Sequence, residues 1–343
     1  MKKLSCIFSA VVILTLLILI LYNPQICLNT AVSGLILCGR VIIPSLYPFT
    51  FCVLFILKSG VLNSLKFLNK SALKLWGLDF SSFSLFLLSL IGGFPLGAKM
   101  LNDAKTPPKT ASVMINYCVN AGPAFIILTV GNGVFSSNKI GVLLFVAHLL
   151  PPVFMAFLYK NKIKSTTTPT QNTNSNFNLI DNFVTSASDG ASAIISVCSF
   201  VILFSVICGY INSFPSLKPL SFILEITNGI SQTNNIYIIS FLLGFGGICV
   251  WCQVFSLFKR AKIKILRFFI SRLFHGTASA VITFLLLKIF KITLPTLSNG
   301  KIFDFSPFFQ SQGVGISLII TGLLLIISLT NKNFAGNLLK DVV

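Results

Sequence analysis

Long apolar runs, parted by short polar ones, set the pattern of this chain. Residues 4–22, 31–57, 140–159 and 182–211 each hold an apolar stretch that approaches or exceeds the ~20 helical residues a bilayer core requires. A further run falls at about 314–329. Other segments are apolar but interrupted at their centres. "SSFSLFLLSLIGGFPLGAKMLNDA" (81–104) breaks at two glycines and a proline, and reads either as one span or as a re-entrant hairpin. "KTASVMINYCVNAGPAFIILTVGNG" (109–133) carries Asn116, Asn120, Gly122 and Pro123 at its middle. "YIISFLLGFGGICVWCQVFSLF" (237–258) has a double glycine, and "SRLFHGTASAVITFLLL" (271–287) holds His275 and Gly276.

Between these groups, "KNKIKSTTTPTQNTNSNFN" (160–178) is polar and aperiodic, which marks a linker. It divides the chain nearly in half, and the second half resembles the first. Gly92 and Gly246, Gly93 and Gly247, and Gly122 and Gly276 each stand 154 positions apart (for example 247 − 93 = 154). The pattern predicts a duplication: an N-terminal transmembrane helix in 1–27, a first repeat in 28–159, the linker in 160–181, a second repeat in 182–292, and a C-terminal transmembrane helix and tail in 293–343.

Composition narrows the class. Only 10% of residues are charged and 55% are hydrophobic, with a mean hydropathy of +0.91, against roughly 25% charged in soluble domains. The expected fold is an all-α polytopic membrane protein of two inverted repeats with re-entrant hairpins and broken transmembrane helices. The net charge of +19 sits in loops between apolar segments, without a basic-aromatic module. That pattern points to positive-inside topology and anionic lipid, and away from nucleic acid. Nine cysteines lie mostly in apolar helices, where they act as small hydrophobes. Cys249 and Cys252 form a C-x-x-C without a second pair or polar ligands, so neither a metal nor another cofactor is expected. Seven acids, two histidines and the lack of G-x-S-x-G or H-E-x-x-H motifs argue against an enzyme, and the lack of a P-loop argues against ATP hydrolysis.

A helix broken in hydrocarbon leaves main-chain groups unpaired unless protein or a water-lined cavity covers them. Corresponding Gly/Pro-broken segments in two halves of one chain point to a transporter's binding site. Half-helix N-termini there favour anions, and Lys99, directly after the first break, adds a full charge. The alternative for any one break is close helix packing through small residues, with Lys99 reaching to the interface.

"GGFPLGAK" (92–99), "NYCVNAGPAFI" (116–126), "LLGFGGICVWCQV" (242–254) and "RLFHG" (272–276), in that order, resemble the sporulation integral membrane proteins of the YlbJ type, within the gate or nucleoside-recognition group. The resemblance covers about residues 30–290. It implies two inverted repeats, an endospore-forming bacterium, and a role in the mother cell during cortex formation as a carrier of dipicolinate across the outer forespore membrane. Other sporulation membrane proteins are then candidate partners. Carried over by motif, the candidate site residues are Gly93, Pro95, Gly97, Lys99, Asn116, Asn120, Gly122 and Pro123, then Gly247, Gln253, Arg272, His275 and Gly276.

Dipicolinate is a flat dianion, so its carboxylates want donors at both ends. Lys99 and Arg272 are the expected cationic partners, with Asn116, Asn120 and Gln253 as neutral donors. His275 either moves a proton or packs, and Glu225 either binds a coupling cation or caps a helix. A structural or assembly role in the spore envelope, and a nucleoside-type transporter, are the competing functions. One conflict stands in the topology. With the N-terminus inside and 81–98 re-entrant, the lysines of 58–74, 99–109 and 160–164 all fall inside. Inverting the second repeat puts the bases of 259–272 outside, against the rule. A full span over 235–257 repairs the charges but ends its equivalence with the first hairpin.

Overall fold

The computed structural model describes residues 2–104, 106–163 and 178–292. These residues are predominantly helical with no strand among them, and five helices are long and apolar enough to cross a membrane: Pro24–Lys58, Asn138–Leu158, Leu179–Asn212, Ile236–Leu257 and Ile265–Phe290. The expected C-terminal span at 314–329 and most of the polar linker lie outside the described residues.

The first helix, α1 (Lys2–Tyr22), stops at Asn23, whose side chain accepts from the Ile26 N–H and so starts the next helix at Pro24, ahead of the apolar run expected from 31. That next span is one bent rod made of α2 (Pro24–Leu37), a π-turn over Cys38–Ile42, and α3 (Ile43–Lys58). The π-turn directly precedes Pro44, where the missing N–H removes an α-helical bond. The rod packs antiparallel to α9 (Leu179–Asn212) along its length. Tyr210 Oη donates to Asn23 O at 2.8 Å near one end, and Lys58 Nζ pairs with Asp189 Oδ2 at 2.6 Å near the other. Small residues let the two helices touch between those points, with Gly34 against Ser205 and Gly209 against Thr30.

After an amphipathic turn and α4 (Asn69–Trp76), the "GGFP" break makes a hairpin and not a kinked rod. Its arms are α5 (Phe80–Gly92) and α6 (Leu96–Asp103), with Gly93–Pro95 at the tip and a cis Phe94–Pro95 peptide. A Cβ on Gly97 would lie 3.1 Å from Ser89 Cβ, eight residues back, so the second arm returns along the first. The next segment is broken too: α7 (Pro108–Met114), an unwound stretch 115–123, then a π-helical segment Ala124–Asn132 that turns into α8 (Asn138–Leu158).

The second half also contains a short helix pair followed by a broken span. α10 (Lys218–Leu224) and α11 (Ile226–Ser231) form a shorter hairpin with Glu225 at its tip, folded so that Gly229 lies against Phe222 O. α12 (Ile236–Phe245) breaks at Gly246 and continues as α13 (Gly247–Leu257), and α14 (Ile265–Phe290) closes the half. The expected break at His275–Gly276 is absent, because α14 runs through it. Gly276 is small for another reason: it meets Gly244 where α12 and α14 cross, and a Cβ on Gly244 would sit 2.8 Å from the Gly276 Cα. The 154-residue spacing therefore does not relate equivalent places.

Hydrogen bonds fix the direction of each hairpin. Lys259 N donates to Asn102 Oδ1 at 3.1 Å and Arg260 Nε donates to Thr106 O at 2.8 Å, so the end of α13 lies beside the base of the first hairpin. The base of the second hairpin leads into α12, at the other end of the same 22-residue span. The two hairpins therefore start from opposite ends and point toward each other.

Gly97 is the tightest point of the first hairpin. A Cβ there would fall 1.7 Å from the Cys118 carbonyl oxygen, whereas Gly39 has open space around it. Gly97→Ala should lower stability by about 2–3 kcal/mol through overpacking. Gly39→Ala should stay within about 0.5 kcal/mol of wild type, both read from unfolding midpoints in micelles.

Candidate functional site

Each hairpin tip packs on the broken helix of its own half. At the first tip Gly93 takes φ +77°, which favours glycine, and a Cβ on Gly122 would lie 3.1 Å from the Gly93 Cα. At the second, Gly247 takes φ +74°, and a Cβ there would lie 3.3 Å from the carbonyl oxygens of Ile223 and Leu224. The halves then meet, with the Phe94 ring against Gly246. Between tips and breaks lies a cavity of about 40 Å³, lined by Phe94, Gly122, Glu225, Thr227, Gln253 and the apolar faces of α3 and α9. That volume accommodates about one water molecule.

Neighbouring helices supply partners to three main-chain groups of the unwound stretch 115–123, the carbonyls of Asn116 and Val119 and the N–H of Ala121, and such partners are what let a buried break persist. Arg272, fully buried on α14, donates through its two Nη atoms to the carbonyls of Asn116 and Val119, with its guanidinium 5.5 Å from the Phe268 ring centroid. His148 Nε2 accepts from the Ala121 N–H at 2.9 Å, so that nitrogen carries no proton. His275 Nε2 donates to the His148 carbonyl at 3.0 Å, and the two rings lie 4.4 Å apart. Asn116 Nδ2 donates to Val113 O at 2.8 Å, and Asn120 Nδ2 donates to Tyr117 O at 3.0 Å and Ser89 O at 3.4 Å.

This arrangement redistributes the residues expected at the site. Gly122 and Gln253 line the cavity, and Gly93, Pro95 and Gly247 shape its tip contacts. Gly97 and Gly276 serve close packing. Asn116, Asn120, Arg272 and His275 hold the unwound stretch. Lys99 Nζ pairs with Asp103 Oδ2 at 2.9 Å, one turn toward the hairpin base, and does not line the cavity. The expected pairing of Lys99 with Arg272 around a dicarboxylate is therefore not formed, since each cation already has main-chain or side-chain partners.

Two charged residues outside that expected set do reach the polar space. Glu225 is 2% exposed, and its Oε2 accepts from Thr227 Oγ1 and, at 2.7 Å, from the Asn228 N–H. It lines the small cavity and also a larger, open cleft of about 430 Å³ between α2, α9 and the second hairpin, where Arg40 lies. The sequence signal for Arg40 was a single charge inside a 35-residue apolar rod, and for Glu225 an acid at the joint of two short apolar helices.

The fold and its buried discontinuities define an all-helical polytopic membrane protein with two opposed hairpins over a central cavity. The chain is similar to the sporulation integral membrane protein YlbJ of Bacillus subtilis (strain 168), with 22% identity over an alignment of 346 positions that covers 84% of each chain, which supports a YlbJ-type assignment. No family model and no solved structure matches it.

Arg272→Met should unfold at markedly lower denaturant, by about 2–4 kcal/mol, because it strands two buried carbonyls. Lys99→Ala removes a half-exposed i,i+4 pair and should cost no more than about 0.5 kcal/mol. Equal stabilities for the two variants would contradict a main-chain cap at Arg272 and a dispensable ion pair at Lys99.

Proposed function

We propose that this chain is a carrier for a small organic anion in the membrane of a sporulating cell, with dipicolinate, moved from the mother cell across the outer forespore membrane, as the solute. The observation that carries the reading is convergence: three main-chain discontinuities, the two tips at Phe94 and Glu225 and the break at Gly122, line one cavity, and an open cleft adjoins it through Glu225 and Thr227. In a bilayer such breaks mark binding sites, since irregular backbone survives only where protein or a water-filled space covers it. The similarity to a sporulation integral membrane protein supports the cellular setting.

The two halves are read as inverted repeats, each with a re-entrant hairpin. The opposed directions of the hairpins support this, and the charges support it as well. Lys58, Lys74, Lys99, Lys160, Lys162, Lys259 and Arg260 belong to one end of the bundle, and Lys139, Lys218, Lys288 and Lys291 to the other. The richer end is assigned to the cytoplasm by the positive-inside rule. The topology conflict disappears, because 236–257 crosses as a full span while 218–231 takes the part of the second hairpin. A cavity that admits about one water is a closed state, so transport requires a tip to part from its break.

Purified chain in proteoliposomes should take up labelled dipicolinate, and Gln253→Leu should reduce the rate at least 10-fold with its unfolding midpoint unchanged. Well-folded wild type that moves neither dipicolinate nor nucleosides would favour an assembly role in the spore envelope.

A further inference from the structure

The open cleft beside Glu225 has a chemistry of its own. Its walls, from α2, α9 and the second hairpin, are mostly apolar surface set with polar side chains, among them Thr30, Ser33, Asn212 and Asn228. Arg40 stands in it on the π-turn that joins α2 to α3, sixteen residues from the start of the rod and eighteen from its end (40 − 24 = 16; 58 − 40 = 18). At about 1.5 Å per residue that is more than 20 Å from either end, beyond the reach of an arginine side chain to water along the helix. An arginine at such depth is retained for a polar cavity or a counter-ion, and π-turns recur at functional sites because they re-aim one side chain. Arg40 has no ion pair among the described residues, although Glu225 lines the same cleft. Arg40 thus lines an open space of about 430 Å³, large enough for a small aromatic solute, and its side chain carries a donor fork suited to carboxylate.

We propose that this cleft is an entry site for a small carboxylate, with Arg40 as its charge partner, ahead of the closed cavity between the tips. The proposal rests on the carrier reading and names the residue that selects the charge of the solute. The walls come from the second half of α2, the last turns of α9 and the second hairpin, which lie in the lysine-poor half of the bundle, so the cleft opens toward that end. Glu225 closes its inner end and repels a dianion, so the solute seats first against Arg40 and passes inward only past that carboxylate. An anionic lipid headgroup offers the same chemistry to Arg40, and the test separates the two.

The measurement is equilibrium binding of labelled pyridine-2,6-dicarboxylate to the full chain in neutral detergent and in nanodiscs of phosphatidylcholine with or without phosphatidylglycerol. Wild type should bind in all three. Arg40→Gln should bind at least 10-fold more weakly, Arg40→Lys in between, Glu225→Gln more tightly, and Lys99→Ala as wild type. Unfolding midpoints check that each variant is folded. Binding of Arg40→Gln equal to wild type, or weaker binding by Glu225→Gln, overturns the site. Arg40-dependent loss of the probe when phosphatidylglycerol is present overturns the solute assignment and gives the cleft to lipid headgroups. Binding that persists in a protein without flux would fell the carrier reading and leave the site standing, whereas flux without Arg40-dependent binding would do the reverse.

Discussion

Unwound backbone inside a hydrophobic bundle needs partners for its N–H and C=O groups, and in the stretch 115–123 buried side chains supply several of them. The partners come from far away in sequence: Arg272 on α14 for the Asn116 and Val119 carbonyls, and His148 on α8 for the Ala121 N–H. His275 then braces His148 by bonding to its carbonyl. Three polar side chains at or below 1% exposure thus work as main-chain caps, and they tie the end of the second half to the middle of the first. A buried cation with its donors pointed at carbonyls substitutes for the helical bonds that the break removes.

With that stretch held, the geometry of the tips follows. Gly122 can approach Gly93 main chain to main chain because neither carries a Cβ, and Gly247 approaches the second tip in the same way. The cavity between them is small because the contacts are backbone against backbone. Any passage must therefore come from a movement of a whole hairpin and not of a side chain. The second hairpin, six to seven residues per arm, is the shorter lever, and it borders the open cleft.

Much of this was legible in the residues. Apolar run length located the membrane helices, and the Gly-Pro and Asn-Gly-Pro interruptions located the first tip and the first break. The N-terminal boundary shifted because Asn23 caps α2. The register between halves was misread for a physical reason: glycine marks tight crossings as well as breaks. Gly276 belongs to a helix crossing with Gly244, so matching glycines joined unlike places. Glu225 lies at the tip of a second hairpin, one too short to stand out in hydropathy. Lys99 and Arg272 drew attention as cations near breaks. Sequence cannot show that a cation is already engaged, one by Asp103 and the other by two carbonyls. Arg40 was overlooked because nothing around it in the chain is polar.

Opposed hairpins that meet at mid-depth are what the whole reading stands on, and single-cysteine labelling of their bases tests it most directly. In a cysteine-free background, Asp103→Cys reports the base of the first hairpin and Asn234→Cys that of the second, both exposed positions. In sealed, oriented vesicles an impermeant maleimide should label Asn234→Cys from the outer face only, and Asp103→Cys only after the membrane is opened. Labelling of both from the same face would contradict it.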